Sequence, residues 1–206
     1  MLSAAIILII ATLCRPTFAL ARIPPAEMSS STNVQSRNWG DVQEVRPDFL
    51  RLFLKDDGVF PNNPNHPLLL FRDSFQGSQE KGSQLLIKGG WTSPWVWGVF
   101  TYHHYHSTAW EILVCVEGWA DIQFGGPSGP TIAVKKGDVA LVPPGVAHKQ
   151  LNDQGGFALL GAYPVESPHA DTIRGLPSER QRRHIVECFT PESEPAITGT
   201  TLDSLY

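Results

Sequence analysis

GVFTYHHYHSTAWEILVCVEG, residues 98–118, is the stretch that decides the fold and the chemistry. Its apolar and aromatic runs are expected to form two adjacent strands, Val99–His106 and Trp110–Val116, with a turn at Glu117–Gly118. Residues two apart on a strand share a face, so His104 and His106 should point one way and His103 the other. Glu111 shares its face with Leu113 and Cys115. Further along, Pro143–Pro144–Gly145 is a rigid turn that delivers His148 to the same interior. Three imidazoles and one carboxylate hold a first-row divalent ion and leave one or two positions open, which separates a reactive site from a structural one. The metal ligands are therefore read as His104, His106, Glu111 and His148, and the catalytic candidates as Tyr102 and Glu111. Tyr102 shares the parity of His104, so it either lines the pocket or fills the barrel. Gln123 and Gln150 have inward parity too, as donors to substrate or to the ligands, or as structural groups.

Outward from this stretch, the 206 residues suffice for one sizeable domain, and 42% hydrophobic against 17% charged content is that of a chain with a real core. The 18 Gly and 17 Pro fall between short apolar runs, which predicts an all-β fold. Leu68–Phe71, Trp119–Phe124, Thr131–Val134, Val139–Val142 and Phe157–Tyr163 read as further strands of a jelly-roll β-barrel. Gln76–Ser83 reads as a loop, and Pro177–Ile185 as a short C-terminal helix. Trp91, Trp95 and Trp97 are expected to pack at the barrel mouth, with a carbohydrate platform as the second option. Net charge is −4 and the one basic cluster, Arg180–Arg183, reads as the solvated face of that helix, so no nucleic-acid partner is expected.

The ends read differently. Ala4–Leu13 is an apolar run too short for a stable membrane span, and Ala19 and Ala21 match a signal-peptidase site, so residues 1–21 are read as a signal peptide. No Lys or Arg precedes the run, which keeps an uncleaved interfacial anchor as the alternative. Cleavage implies a secreted or secretory-pathway protein; otherwise the chain is cytoplasmic. Residues 22–45, Ser- and Pro-rich, are expected to be a flexible arm, 46–190 the barrel domain and 191–206 a tail. Past the leader only Cys115 and Cys188 remain, allowing at most one bridge, and Cys115 reads as a buried free thiol. His66, His169 and His184 are expected to be exposed.

Written out, the spacing is Gly98-x5-His104-x-His106-x4-Glu111-x6-Gly118, then Gly137-x5-Pro143-x-Gly145-x2-His148-x3-Asn152. This resembles the two sequence motifs of the cupin superfamily at every fixed position. FLKDDGVFPNNPNHPLLLF, YHHYHSTAWEILVCVEGWADIQFGG, GDVALVPPGVAHK and GAYP further resemble the YjlB-like group of single-domain cupins, from Phe49 to Tyr163. The resemblance implies a small β-barrel that binds one metal through His104, His106, Glu111 and His148. Fungal relatives occur beside polyketide synthases, and some are described as cupin-domain oxidoreductases tailoring salicylaldehyde-type products. It thus implies a metal-dependent oxidoreductase of secondary-metabolite biosynthesis, acting on an alcohol, a phenol or an aromatic polyketide-derived intermediate. A non-redox isomerase or lyase, or a secreted cupin that binds a metal or small molecule without turnover, is the alternative. Fe(II) is the favoured ion, with Mn, Ni, Zn or Cu compatible with the same donors. Trp97, Phe100, Tyr102 and Leu113 favour an apolar or aromatic substrate. Ile112, Val114 and Val116 are apolar on the face away from the ligands, so a second sheet or a partner barrel should cover them; cupins commonly pair, and a homodimer is expected.

Overall fold

The computed structural model describes residues 33–187, apart from 47 and 93. The leader, the tail and Cys188 lie outside the described residues. The strands are β1 (Asn33–Arg37), β2 (Gly40–Arg46), β3 (Phe49–Leu54), β4 (Leu68–Phe71), β5 (Trp95–Trp97), β6 (Glu111–Phe124), β7 (Thr131–Lys135), β8 (Val139–Val142) and β9 (His148–Ala162). Two helices accompany them, α1 (Gln79–Lys88) and α2 (Glu179–Glu187). The sheet runs β1-β2-β3-β4-β8-β6-β9-β5, every pairing is antiparallel, and β7 pairs with β6. It is the expected all-β jelly-roll, with its short C-terminal helix at Glu179–Glu187.

The long strands β6 and β9 carry the core, paired from Ile112↔Ala162 to Phe124↔His148. On β6, Leu113 and Cys115 face the interior cluster of Leu68, Leu70, Ala140, Val142 and Leu159. The expected turn at Glu117–Gly118 is instead an irregularity within one continuous strand, with register shifts on both sides of Glu117. Gly118 makes it possible: its φ is +61°, and a Cβ there would lie 2.3 Å from the Gln154 carbonyl oxygen. The extra residue flips the alternation, so beyond it the even-numbered Ala120, Ile122 and Phe124 point inward.

Four sequence expectations are corrected. Residues 33–45 of the expected arm lie in β1, β2 and the turn between them, a meander on β3 with Val42 opposite Leu52. Trp39 and Val42 pack on the interior cluster, so a segment of polar composition still puts two large side chains on the core. Part of the expected loop at Gln76–Ser83 belongs to α1, where the Ser78 hydroxyl accepts from the Lys81 N–H at the N-cap. Its Leu86 is buried against Phe71, Trp91, Ile112, Val114, Val116 and Leu160, worth roughly 2 kcal/mol by its area. The face expected to need a second sheet or a partner is thus covered by the chain's own helix, and it supplies no reason for a dimer. Lastly, residues 99–106 are not a strand; they run irregularly, tied by two isolated bridges, His104↔His148 and Tyr105↔Ile173. Among the described residues no helix is long and apolar enough to cross a membrane.

Candidate metal centre

Three pieces of chain bring four side chains to one cavity. Glu111 opens β6 and His148 opens β9, while His104 and His106 come from the irregular segment between β5 and β6. That segment is seated by backbone bonds: His104 N–H to the His148 carbonyl at 3.2 Å, the reverse bond at 2.9 Å, and Gly145 N–H to the His106 carbonyl at 2.7 Å. Gly145 has φ +88°, and a Cβ on it would come within 2.5 Å of the Asn62 carbonyl oxygen, so the turn before His148 requires glycine.

Two buried asparagines hold this turn from behind. Asn62 donates to the Lys55 and Gly125 carbonyls at 2.6 and 3.1 Å and accepts from the Ala147 N–H at 3.2 Å. Asn63 donates to the Pro144 and Ile185 carbonyls at 2.9 and 3.2 Å and accepts from the Asn65 and His66 N–H groups. Every side-chain oxygen and nitrogen of this pair has a protein partner.

The ligand cluster is the opposite case. His104, His106 and His148 are each 4% exposed or less, and one ring nitrogen from each lies within 4.8 Å of the others. Each Nδ1 faces a backbone carbonyl: Tyr102 for His104 at 3.3 Å, Val146 for His148 at 3.1 Å, and Asp171 for His106. A carbonyl only accepts, so each Nδ1 carries a hydrogen and turns the Nε2 of its ring to the cluster. Burial first, then the neighbouring His148 and His106, push the His104 pKa down to about 3, which keeps this ring neutral.

Glu111 lies with Oε1 3.6 Å from His106 Nε2 and Oε2 3.0 Å from His148 Nε2. Despite that closeness Oε2 makes no hydrogen bond. Burial works to raise the Glu111 pKa, but the charges of His106 and then His148 outweigh it and hold the carboxyl well below its usual range. For His106 burial works downward, and Glu111 outweighs it, so the net direction is up. A buried carboxylate oxygen without a donor, beside converging ring nitrogens, fits a divalent cation.

The cluster lies in a cavity of about 250 Å³ walled by Trp95, Trp97, Val99, Phe100, Leu113 and Tyr163. Of the three tryptophans expected at the mouth, Trp91 is core at 1% exposed, Trp95 is wall, and Trp97 is 57% exposed at the rim. A larger cleft of about 360 Å³ lies between the end of β3, the Pro61–Pro64 loop and α2, away from all four ligand candidates.

The structure brings His104, His106, Glu111 and His148 together and turns His103 away onto Phe60. Tyr102 is not part of the cavity wall: it stacks outside Phe100 with the Arg174 guanidinium 3.5 Å from its ring centroid. Gln123 points away because the flip at Gly118 reverses its parity; it donates to the Pro127 and Gly129 carbonyls of the hairpin. Gln150 accepts from the Val99 N–H at 2.9 Å and so fixes the cavity wall rather than touching its contents. Glu117 pairs with Lys136 and Asp121 with Asn152, both at the surface, so neither is available as a base. His66 rests against Trp110 and, like His184, is half-buried, whereas His169 is exposed as expected. Cys115 is the buried thiol expected, its pKa pushed up to about 12 by burial.

Two residues at the site escaped the sequence reading. Tyr163 stands on the wall with its hydroxyl 3.3 Å from His106 Nε2, its ring set between Trp95 and His106. Burial, then Glu111, push its pKa above the ordinary phenol range, so the hydroxyl keeps its proton. Asp171 offers its carbonyl to His106 Nδ1, and its carboxylate accepts from the Ser107 N–H and hydroxyl, each at 2.6 Å. The GAYP tetrapeptide ending at Pro164 was the only signal for Tyr163, and nothing local marked Asp171.

An antiparallel barrel that closes over three converging imidazoles defines a class of metal-binding jelly-roll proteins. The cupin domain family matches residues 86–158. The chain is 38% identical over 149 residues to the uncharacterized protein YjlB of Bacillus subtilis (strain 168), covering 71% of this chain and 88% of that one. The chain belongs to the cupin superfamily. Among solved structures, Streptomyces albus HEPD with its substrate 2-hydroxyethylphosphonate and Fe(II) bound is similar over 80% of this chain and 28% of its own, at 15% identity and a TM-score of 0.24.

Proposed function

We propose that the chain is a metal-dependent cupin oxidoreductase that holds one divalent ion through His104, His106, Glu111 and His148. One observation carries the reading: three ring nitrogens converge within 4.8 Å beside a buried carboxylate oxygen that no protein donor satisfies, in an aromatic-walled cavity. Fe(II) is the ion we favour, and Mn, Ni, Zn or Cu would suit the same donors. When bound, such an ion supplies Lewis acidity and, for iron, manganese or copper, electron transfer. The protein's part is to fix the donors and to shape the cavity. Each Nδ1–H is tied to a carbonyl, which orients its ring and raises its basicity as a ligand.

Trp95, Trp97, Phe100 and Leu113 select a flat apolar substrate: an alcohol, a phenol or an aromatic polyketide-derived intermediate of secondary metabolism. A divalent ion with one carboxylate and neutral imidazoles leaves the site a net single positive charge, which suits an oxyanionic ligand such as a phenolate. The leader adds that the protein enters the secretory pathway, and the family habit of pairing adds a homodimer.

Anaerobic loading with each metal, followed by oxygen-electrode measurement with a panel of phenols and benzylic alcohols, tests the reading. Stoichiometric metal with oxygen uptake and a two-electron product is expected. Metal bound without uptake or product sinks the oxidoreductase and leaves a binding cupin. A non-redox isomerase or lyase is favoured by one observation, the proton-bearing Tyr163 hydroxyl facing the cluster. Turnover that persists without oxygen or any other oxidant would select it.

A further inference from the structure

Tyr163 is on the cavity wall, yet neither cupin motif contains it. We propose that Tyr163 is the residue that recognises substrate oxygen: its hydroxyl donates a hydrogen bond to the anionic oxygen of a phenolate-class ligand in the metal cavity. The inference rests on the metal-site reading above and deepens it.

Position comes first. Tyr163 directly follows β9, and its backbone is pinned on both sides, its carbonyl accepting from the Thr92 N–H at 2.7 Å and its N–H donating to the Thr92 hydroxyl at 3.2 Å. The ring is held tilted against Trp95 at 5.0 Å and edge-on to His106 at 5.2 Å. A phenol fixed in this way has one free variable, the rotation of its O–H bond.

The partner matters next. That hydroxyl lies within hydrogen-bond distance of His106 Nε2, at 3.3 Å. This is the nitrogen that a bound ion takes, because His106 Nδ1 is committed to the Asp171 carbonyl. Loading the site therefore takes up that acceptor and leaves the half-buried hydroxyl as a donor facing the cavity beside the Glu111 carboxylate. Of the rest of the lining, Glu111 is itself read as a ligand of the ion, Thr172 carries a hydroxyl, and Trp95, Trp97, Val99, Phe100 and Leu113 offer no side-chain acceptor. An oxygen of a ligand bound beside the ion competes with Glu111 for the Tyr163 hydroxyl, and a charged oxygen gains most from the bond.

Tyr102, the tyrosine that strand parity favoured, cannot serve in this role, since its ring lies outside the wall beneath Arg174. It provides the control.

The test uses full-length protein loaded anaerobically with Co(II), titrated optically with 4-nitrophenolate and with nitrobenzene, which has the same ring without the oxygen. Tyr163→Phe keeps every ring contact, and its thermal midpoint is checked against the wild type. With the metal content unchanged, Tyr163→Phe should bind 4-nitrophenolate about 10-fold or more weakly, the worth of a hydrogen bond to a charged group. Nitrobenzene should bind it as it binds the wild type, and Tyr102→Phe should match the wild type for both. Equal weakening for both ligands, or unchanged phenolate affinity, overturns the proposal, as does loss of metal from Tyr163→Phe. Wild-type protein that takes up no metal overturns instead the reading on which the proposal rests, so the two failures are told apart.

Discussion

Two clusters of buried polar side chains lie on either side of the Pro143–Gly145 turn, and they differ in how their polar atoms are satisfied. Behind the turn, the side-chain amides of Asn62 and Asn63 are fully partnered by backbone groups. In front of it, the ring nitrogens of His104, His106 and His148 converge, and Glu111 Oε2 has no donor. A satisfied cluster is a brace that holds a loop; an unsatisfied one, set in place by that brace, presents the donors that a ligand would need. Both contain polar residues nearly inaccessible to solvent, so burial alone does not tell them apart. The bookkeeping of donors and acceptors does.

The largest effect expected from this contrast is on the unsatisfied side. His104→Ala should abolish metal binding, read as metal-to-protein ratio after desalting, while the fold survives. Loss of a direct donor goes beyond the 10–100-fold that a ligand's outer partner costs. Unchanged stoichiometry would remove His104 from the ligand set. Next, on the satisfied side, Asn62→Ala strands the Gly125 carbonyl and the Ala147 N–H, and should cost about 3 kcal/mol in denaturant unfolding. The folded fraction should still bind metal. If instead Asn62→Ala loses metal without losing stability, the brace and the site are one unit and the contrast breaks.

Asp171 joins the two categories, since it is a satisfied carboxylate whose backbone carbonyl orients a ligand ring. Asp171→Ala releases the clamp on Ser107 and should weaken metal affinity about 10-fold, measured by chelator competition, with the stoichiometry kept. Glu111→Gln sharpens the same point in the metal-free protein. The folded-state pKa of Glu111 lies below the ordinary value, so the charge stabilises the unloaded fold at neutral pH, and Glu111→Gln should lower unloaded stability as well as metal affinity. Unloaded stability equal to the wild type would show that Glu111 matters to the metal alone.

How much of this was readable in advance follows from the range of the interactions. The ligand spacing is local, and strand parity together with a proline-glycine turn placed His104, His106, Glu111 and His148 in one site from sequence alone. Parity then failed at Gly118, where one irregularity reversed the faces and sent Gln123 outward. It also misplaced Tyr102, because the segment around it is not a strand. Tyr163 and Asp171 reach His106 from 57 and 65 residues away, and no periodicity carries such a contact. The meander at β1 and β2 stayed hidden because few of its residues are apolar, and only Trp39 and Val42 dock it on the core. α1 was missed because one of its few apolar residues, Leu86, does most of the docking.

The smallest effect is expected where a polar pair is neither buried nor orphaned. Arg182 on α2 reaches Asp56 at 2.9 Å, both well exposed, and closes one side of the large cleft beside the asparagine brace. Burial works to raise the Asp56 pKa, but the Arg182 and Gly58 hydrogen bonds outweigh it, and the net direction is down. A folded-state pKa below the ordinary value means that the pair stabilises the fold above pH about 4 and that this contribution fades as pH falls through the lowered value. Solvent screens such a pair, so Asp56→Asn should leave the unfolding midpoint at neutral pH essentially where it was, and flatten only the acid limb of the stability profile. A substantial loss at neutral pH would mean that α2 is anchored through this contact and not through Ile185 and Asn63, and it would move the brace from the turn to the helix.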